Sequence, residues 1–401
     1  MSDITIGFVP RERFSLAAEA LQRIFDHTEQ PFDMIVVDCN IPPVYRQEMN
    51  QVLEGRDNVR IIQRDRYLLP NQSKNLVVAE AKGEWLCMIE NDVLVQDGWL
   101  STLIAACEEH PADVAVPLIM EGPLGAGKVH FDDLLGEVRE VQSPDGVRLE
   151  IVPRTQKKEQ DRGTARRTVQ FMEQHCLLFR RGVFDRIGPY DEELNTRDEI
   201  DLSLSLYKAG VPVVYEPACE VHYLPPYPPR DDEADYFFMK WDLDRAQKSR
   251  DRIREKWNLV EVPGDMAFVR DRNRIGTLSR VKKELLQLVS PEESLILVDQ
   301  NQWLDSDIVA GLRVIPFLEH DGQYWGLPED DATAIREFER LRQTGASLIV
   351  FNWASTWWFD HYKDFYAHLT SHYERVLENE RVTVFDLRKA VGSGRDSQSA
   401  A

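Results

Sequence analysis

Cysteine is scarce, and the few that occur stand apart. Cys39, Cys87, Cys107, Cys176 and Cys219 are odd in number, widely spaced and form no CxxC pair. That argues against a disulfide framework and a cysteine-based zinc module, and fits a reducing compartment. Long apolar runs are missing too. No stretch approaches the roughly 18 uninterrupted apolar residues of a membrane span. The opening Met1-Ser2-Asp3-Ile4 has neither the basic nor the apolar region of a signal peptide. A cytoplasmic protein without a transmembrane segment is expected, able to work peripherally where an acceptor sits at a membrane. Positive charge is the third shortage. Against 69 Asp and Glu there are 48 Lys and Arg, a formal net charge of −21. Such a field repels polyanions and argues against a nucleic-acid partner. A small phosphorylated ligand stays compatible, because local cations or a metal override the global field.

What is present is an ordinary globular composition, 43% hydrophobic and 29% charged over 401 residues, enough for two or three domains. Strand and helix signals alternate from the start. Ile4 to Val9, Met34 to Val37, Val59 to Ile62, Trp85 to Ile89 and Val114 to Ile119 read as short apolar strands. Helical spacing separates them, as in Ala17, Ala20, Leu21 and Ile24. Repeated β-α units of this length predict an α/β fold with a mostly parallel sheet flanked by helices. Ligands of such sheets bind at the carboxyl ends of the strands, where Asp38 and the Glu90-Asn91-Asp92 triplet fall.

Residues 121 to 168 read as a charged, loop-rich insertion that includes Lys157, Lys158, Arg166 and Arg167. A helix is predicted from about Glu199 to Ala209, closed by Gly210. Pro225 to Pro229 reads as a stiff loop, and Phe237 to Trp257 as a long helical stretch. A domain boundary is placed at 262, with a smaller α/β domain at 263–390 and a polar tail at 391–401 expected to be disordered.

Glu90 and Asp92 put two carboxylates one residue apart just past a buried strand. Hard oxygen ligands of that kind suit Mg²⁺ or Mn²⁺, which in turn can hold a diphosphate. An acidic pair at a strand end is also an ordinary turn. The surrounding string decides between the two readings. Gly83-Glu84-Trp85 through Asp92, followed by Gly98-Trp99-Leu100, resembles the family 2 glycosyltransferases of the GT-A fold. Val9-Pro10-Arg11, Ile35 to Asp38, and Asn71 to Asn75 are similar to that family's upstream segments. A second block runs Leu177 to Arg181, Phe184, Ile187 to Glu192, Arg197 to Leu202, Ala209-Gly210, Pro217 and His222.

The resemblance covers residues 4 to about 260. It implies an inverting transferase that moves a sugar from a nucleotide diphosphate donor, UDP most often, to a carbohydrate or lipid-linked carbohydrate hydroxyl, as in polysaccharide biosynthesis. By the same resemblance, Pro10, Arg11, Asp38, Lys74, Asn75, Glu90 and Asn91 would contact the nucleotide sugar. Asp92, Glu90 and His222 would hold the Mn²⁺ or Mg²⁺. Glu90 stands where the family more often has Asp.

Glycosyl transfer needs a base to take the acceptor proton, and a positioned carboxylate contributes on the order of 10²–10⁴ in rate. The family places it in a Glu-Asp pair. Here the order is Asp198-Glu199, so Glu199 takes the base's slot and Asp198 is its rival. A nucleotide-sugar-binding scaffold without catalysis, or a bifunctional enzyme with a second activity in the C-terminal domain, are the alternative readings. Gly122 to Lys128 matches GxxxxGK, but Val129 stands where a phosphate loop needs Ser or Thr, so a glycine-rich loop beside an acceptor cleft is expected instead. In the C-terminal domain no Gly-rich turn follows Leu295 to Val298, which argues against a dinucleotide site. Trp358, Tyr362, Phe365, Leu369 and Tyr373 fall at helical spacing and are expected to pack as one face.

Overall fold

The structure is a computed structural model that describes residues 2–131, 136–144, 146–152, 165–225, 229–264, 266–303 and 311–390. Lys157 and Lys158, Pro226 to Pro228 and the tail from 391 lie outside the described residues. The chain forms two compact units, Met1–Asn273 and Arg274–Ala401.

The first unit opens with β1 (Ile4–Val9), α1 (Ala17–His27), β2 (Asp33–Cys39), α2 (Pro43–Leu53), β3 (Val59–Arg64), α3 (Pro70–Glu80) and β4 (Trp85–Glu90). Then come β5 (Val93–Leu94), α4 (Trp99–Glu109), β6 (Val114–Glu121), β7 (Lys128–Phe131), β8 (Glu137–Ser143), β9 (Gly146–Val152), β10 (Arg167–Val169) and β11 (Cys176–Arg180). The unit continues through α5 (Val183–Ile187), α6 (Asp198–Lys208), β12 (Val213–Tyr223), α7 (Ala234–Lys240) and α8 (Leu243–Lys256). The division between the units falls within α9 (Ala267–Leu286).

The main sheet runs β10-β12-β6-β11-β4-β1-β2-β3. The half from β4 to β3 is parallel, as the alternation of signals predicts. β1 and β4 are buried at every position, the mark of strands covered on both faces. The outermost β3 is mostly exposed. On the other side of β4 the rule changes: β11 runs antiparallel to both β4 and β6. The result is an α/β fold, a mostly parallel sheet with helices against it. The antiparallel register sets Cys176 opposite Ile89, so the residue before Cys176 arrives beside the end of β4.

The stretch expected as one long helix, Phe237 to Trp257, is two. It breaks at Trp241, and the Asp242 carboxylate caps α8 by accepting from the Arg245 amide at 2.8 Å. Where α3 lies on β1, there is no room for a side chain on Gly7. A Cβ there would overlap Val77 Cγ1 and approach Met88 Sδ to 3.1 Å. Gly7→Val is expected to lower stability by about 1–3 kcal/mol through overpacking, measurable by urea unfolding.

The second unit has β13 (Ser294–Val298), β14 (Arg313–Pro316), β15 (Glu319–His320), β16 (Gln323–Tyr324), α10 (Asp331–Gln343), β17 (Ala346–Asn352), α11 (Trp358–His361), α12 (Lys363–His372), β18 (Tyr373–Glu378) and β19 (Val382–Ala390). Its sheet order is β14-β13-β17-β19-β18. Trp358, Tyr362, Phe365, Leu369 and Tyr373 are buried in one cluster with Phe317 and Phe338. They form the packed face that their spacing predicts.

Candidate active site

β4 is buried at every position and delivers Glu90, Asn91 and Asp92 to its carboxyl end, all three inaccessible to solvent. Their surroundings differ. One Glu90 oxygen accepts from Arg11 Nη1 at 3.1 Å, and the other lies 2.7 Å from His175 Nδ1. Burial alone would raise this carboxyl, but Arg11 and His175 overcome it and hold it well below the ordinary carboxylate range. Neither oxygen of Asp92 has a hydrogen-bond partner among the described residues. Burial, reinforced by the charge of Glu90, pushes Asp92 well up. A fully buried carboxylate without a donor costs free energy unless a cation joins it. Ligand atoms of Glu90, Asp92 and His175 lie within 4.8 Å of one another, so these residues fit a divalent metal.

Asn91 has a mechanical task. Its side chain accepts from the Arg11 amide and donates to the Arg13 carbonyl, tying the loop after β1 to the end of β4. Pro10 and Arg11 stand on that loop, and Arg11 also pairs with Glu12 at 3.1 Å. Asp38 sits at the end of β2 as expected. Its carboxylate is held by Arg46 through two nitrogens, by Gln63 at 3.3 Å and by the Ile41 amide at 3.1 Å. A nucleobase donor would have to share that carboxylate with Arg46.

The structure does not bring Lys74 or Asn75 to a ligand surface. Lys74 is fully buried, donating to Asp198 at 3.0 Å and to Gln174 at 2.8 Å. Asn75 bonds the backbone of Tyr190 on both sides and the Glu192 carboxylate at 2.9 Å. It stitches α3 to the turn before α6. Nor does His222 join the carboxylates. Its ring nitrogens lie 3.0 Å from the Gly122 carbonyl and 2.7 Å from Glu220, so its place beside Glu90 is taken by His175.

The acidic pair at the start of α6 divides its labour. Asp198 is ion-paired to Lys74 and accepts from Gln174 Nε2 at 3.0 Å. Burial opposes its charge, but Lys74, Lys240 and Arg11 hold it well below the ordinary range. It is a fixed anion. Glu199 shifts the other way, pushed up to about 7 by burial and by the charge of Asp198. The helix start therefore does not hold Glu199 in the ordinary carboxylate range as an isolated helix start would; burial and the fixed neighbour outweigh it. Asp198→Asn is expected to leave Lys74 without its counter-charge and to lower stability by about 1–3 kcal/mol, measurable in thermal melts. Asp201 bonds Trp257 Nε1 at 2.7 Å and anchors the helix.

Glu199 lines a cleft of about 230 Å³ together with Arg11, His130, Glu173, His175 and Trp241. Glu173 is also pushed up, to about 8, by burial and by Glu199. His130, Glu173 and His175 were not legible as site residues. Their signal lies in strand pairing: β11 beside β4 puts Gln174 and His175 near the carboxyl end of β4, and β7 beside β6 brings His130 within ring contact of His175, 5.3 Å between centroids.

Gly122 to Gly127 is the turn of a β6–β7 hairpin in which Glu121 faces Lys128. A phosphate-cradling loop joins a strand to a helix; this one does not. Lys128 is exposed and pairs with Glu121 at 3.0 Å. Lys128→Ala is expected to leave nucleotide affinity within about twofold of wild type in a calorimetric titration, since a surface ion pair contributes little.

Residues 11–188 match the model of glycosyl transferase family 2. The matched stretch lies wholly within the first unit. The chain is similar to the uncharacterized protein y4gI of Sinorhizobium fredii, 26% identical over 228 residues, 55% of this chain and 24% of that one. It is similar to glycosyltransferase GlyG of Streptococcus pneumoniae, 24% identical over 98 residues, 24% of this chain and 33% of that one. The chain thus matches only a quarter to a third of the length of these relatives. Among solved structures, S. aureus TarS 1-349 in complex with UDP aligns with a TM-score of 0.41 at 14% identity, covering 71% of this chain and 82% of that one. The matched stretch contains both Asp92 and His175 but ends before the Asp198-Glu199 pair.

Proposed function

We propose that the first unit transfers a glycosyl group from a nucleoside diphosphate sugar, with UDP as the leading donor nucleotide, to an acceptor hydroxyl with inversion. The observation that carries this reading is Asp92, a buried carboxylate with two unpartnered oxygens beside Glu90 in a family 2 domain. Asp92 and Glu90 would hold Mn²⁺ or Mg²⁺. When bound, such an ion stabilises charge on the departing diphosphate.

The remaining work falls to side chains of this chain. Arg11, fixed by Glu90 and Glu12, presents positive charge at the cleft. Pro10 and Asp38 mark the nucleoside side of the sheet edge. Glu199 takes the proton of the acceptor hydroxyl as the oxygen attacks the anomeric carbon and the bond to diphosphate breaks. A carboxylate whose proton affinity lies near neutral pH is well matched to that task. Asp198 acts indirectly, since its fixed charge sets the proton affinity of Glu199.

A thermal-shift screen of UDP, GDP and dTDP, each with Mn²⁺ and with EDTA, tests the binding part. A nucleotide at 100 times its Kd stabilises the fold by about 2.7 kcal/mol. The reading expects one nucleotide to raise Tm with Mn²⁺ and to lose that effect in EDTA. Equal shifts in both would remove the metal from the account.

A further inference from the structure

His175 belongs to two groups of possible ligands. One is Glu90-Asp92-His175, and the other is His130-Glu173-His175, again with ligand atoms within 4.8 Å of one another. The hydrogen bonds separate them. His175 Nδ1 lies 2.7 Å from the Glu90 carboxylate, so its Nε2 is the nitrogen left to ligate. His130 repeats the pattern, with Nδ1 3.1 Å from the Glu121 carboxylate. A carboxylate on the far ring nitrogen is the arrangement that orients metal-bound histidines and fixes their tautomer. Tyr223 stacks on the His175 ring at 3.9 Å and restricts its rotation. Glu173 supplies an oxygen, half-buried and on the same cleft wall.

We infer that His130, Glu173 and His175 form a second metal site, distinct from the Asp92-Glu90 pair and selective for a zinc-class transition ion. Two imidazoles and one carboxylate are a borderline-soft set that suits Zn²⁺, whereas the oxygen pair suits Mg²⁺ or Mn²⁺. Bonds of about 2.0–2.2 Å bring ligands within about 4 Å of one another, so small side-chain rotations close the set. Three protein ligands leave a fourth position for water or an acceptor oxygen. That position opens on the cleft that Glu199 lines. The positive ion also offsets the mutual repulsion of Glu173 and Glu199.

Zn²⁺ alone, titrated calorimetrically into the chelator-treated full chain without nucleotide, tests the site. Asp92→Ala should still bind one zinc ion per chain. Adding His130→Ala or Glu173→Gln to that variant should weaken zinc binding more than about 100-fold. Glu121→Gln, which meets His130 only at Nδ1 and otherwise pairs with the exposed Lys128, should weaken it by about tenfold. Circular-dichroism melts of each variant separate lost ligation from lost fold, and Glu173→Gln keeps the side chain's size. Unchanged zinc affinity in both ligand variants would overturn the assignment. So would loss of all zinc binding in Asp92→Ala, which would mean a single shared centre. Because no nucleotide is present, either result stands apart from the success or failure of the glycosyl-transfer reading.

Discussion

Glu199→Gln should lower kcat by about 100-fold or more while leaving donor affinity near its wild-type value. The amide keeps the size of the side chain but cannot accept the acceptor's proton, so the loss is felt in the transition state and not in donor binding. Burial and the fixed charge of Asp198 raise the Glu199 carboxyl to about 7, which gives the wild-type profile a sign. Below about pH 7 the group is protonated and cannot act as a base, so kcat should fall towards tenfold per pH unit. Above it the limb flattens. In Glu199→Gln that acidic limb should vanish from the residual rate. The stability effect runs the other way. A carboxyl whose folded value lies above its unfolded value is stabilised in its neutral form, and stability declines as pH rises from about 4.5 through 7. The neutral amide removes that decline, so the variant should melt no lower than wild type at pH 8. A variant that both unfolds and loses activity would point to a structural role for Glu199.

Asp92→Ala should abolish Mn²⁺-dependent nucleotide binding while the fold persists. Asp92 makes no side-chain hydrogen bond among the described residues, and burial beside Glu90 disfavours its charge. Removing it breaks no ion pair and relieves a buried repulsion, so thermal stability without metal should be unchanged or higher. With metal and nucleotide the order reverses, because only the wild type gains the binding free energy. Calorimetric titration of nucleotide in Mn²⁺, set against melts without metal, reads both halves. Wild-type affinity in the variant would separate Asp92 from the metal.

The sequence carried the fold well where local rules govern. The β-α alternation, the strand ends at Asp38 and Glu90, and the packed aromatic face around Trp358 follow from spacing alone. Long-range pairing was not legible. His175 reaches Glu90 because β11 enters antiparallel beside β4, and no periodicity announces such a neighbour. The same blindness applies to Lys74. The family resemblance puts Lys74 among the nucleotide-sugar contacts, yet it is buried as the counter-ion of Asp198, and that pairing spans 124 residues. Asp38 was placed at the right edge, but Arg46 on it was not foreseen, since the bond depends on how α2 packs over β2. The order Asp198-Glu199 gained its meaning only with Lys74 in place: one carboxylate fixed as an anion, the other raised and facing the cleft.

The most direct test of the central claim is turnover. The full chain with Mn²⁺ and a panel of UDP-, GDP- and dTDP-sugars should release nucleoside diphosphate from one donor, by slow hydrolysis even without acceptor. EDTA should stop that release and Glu199→Gln should slow it about 100-fold. No release of nucleoside diphosphate from any donor, by a folded protein that binds the nucleotide, would contradict the account and leave a binding module in place of a transferase.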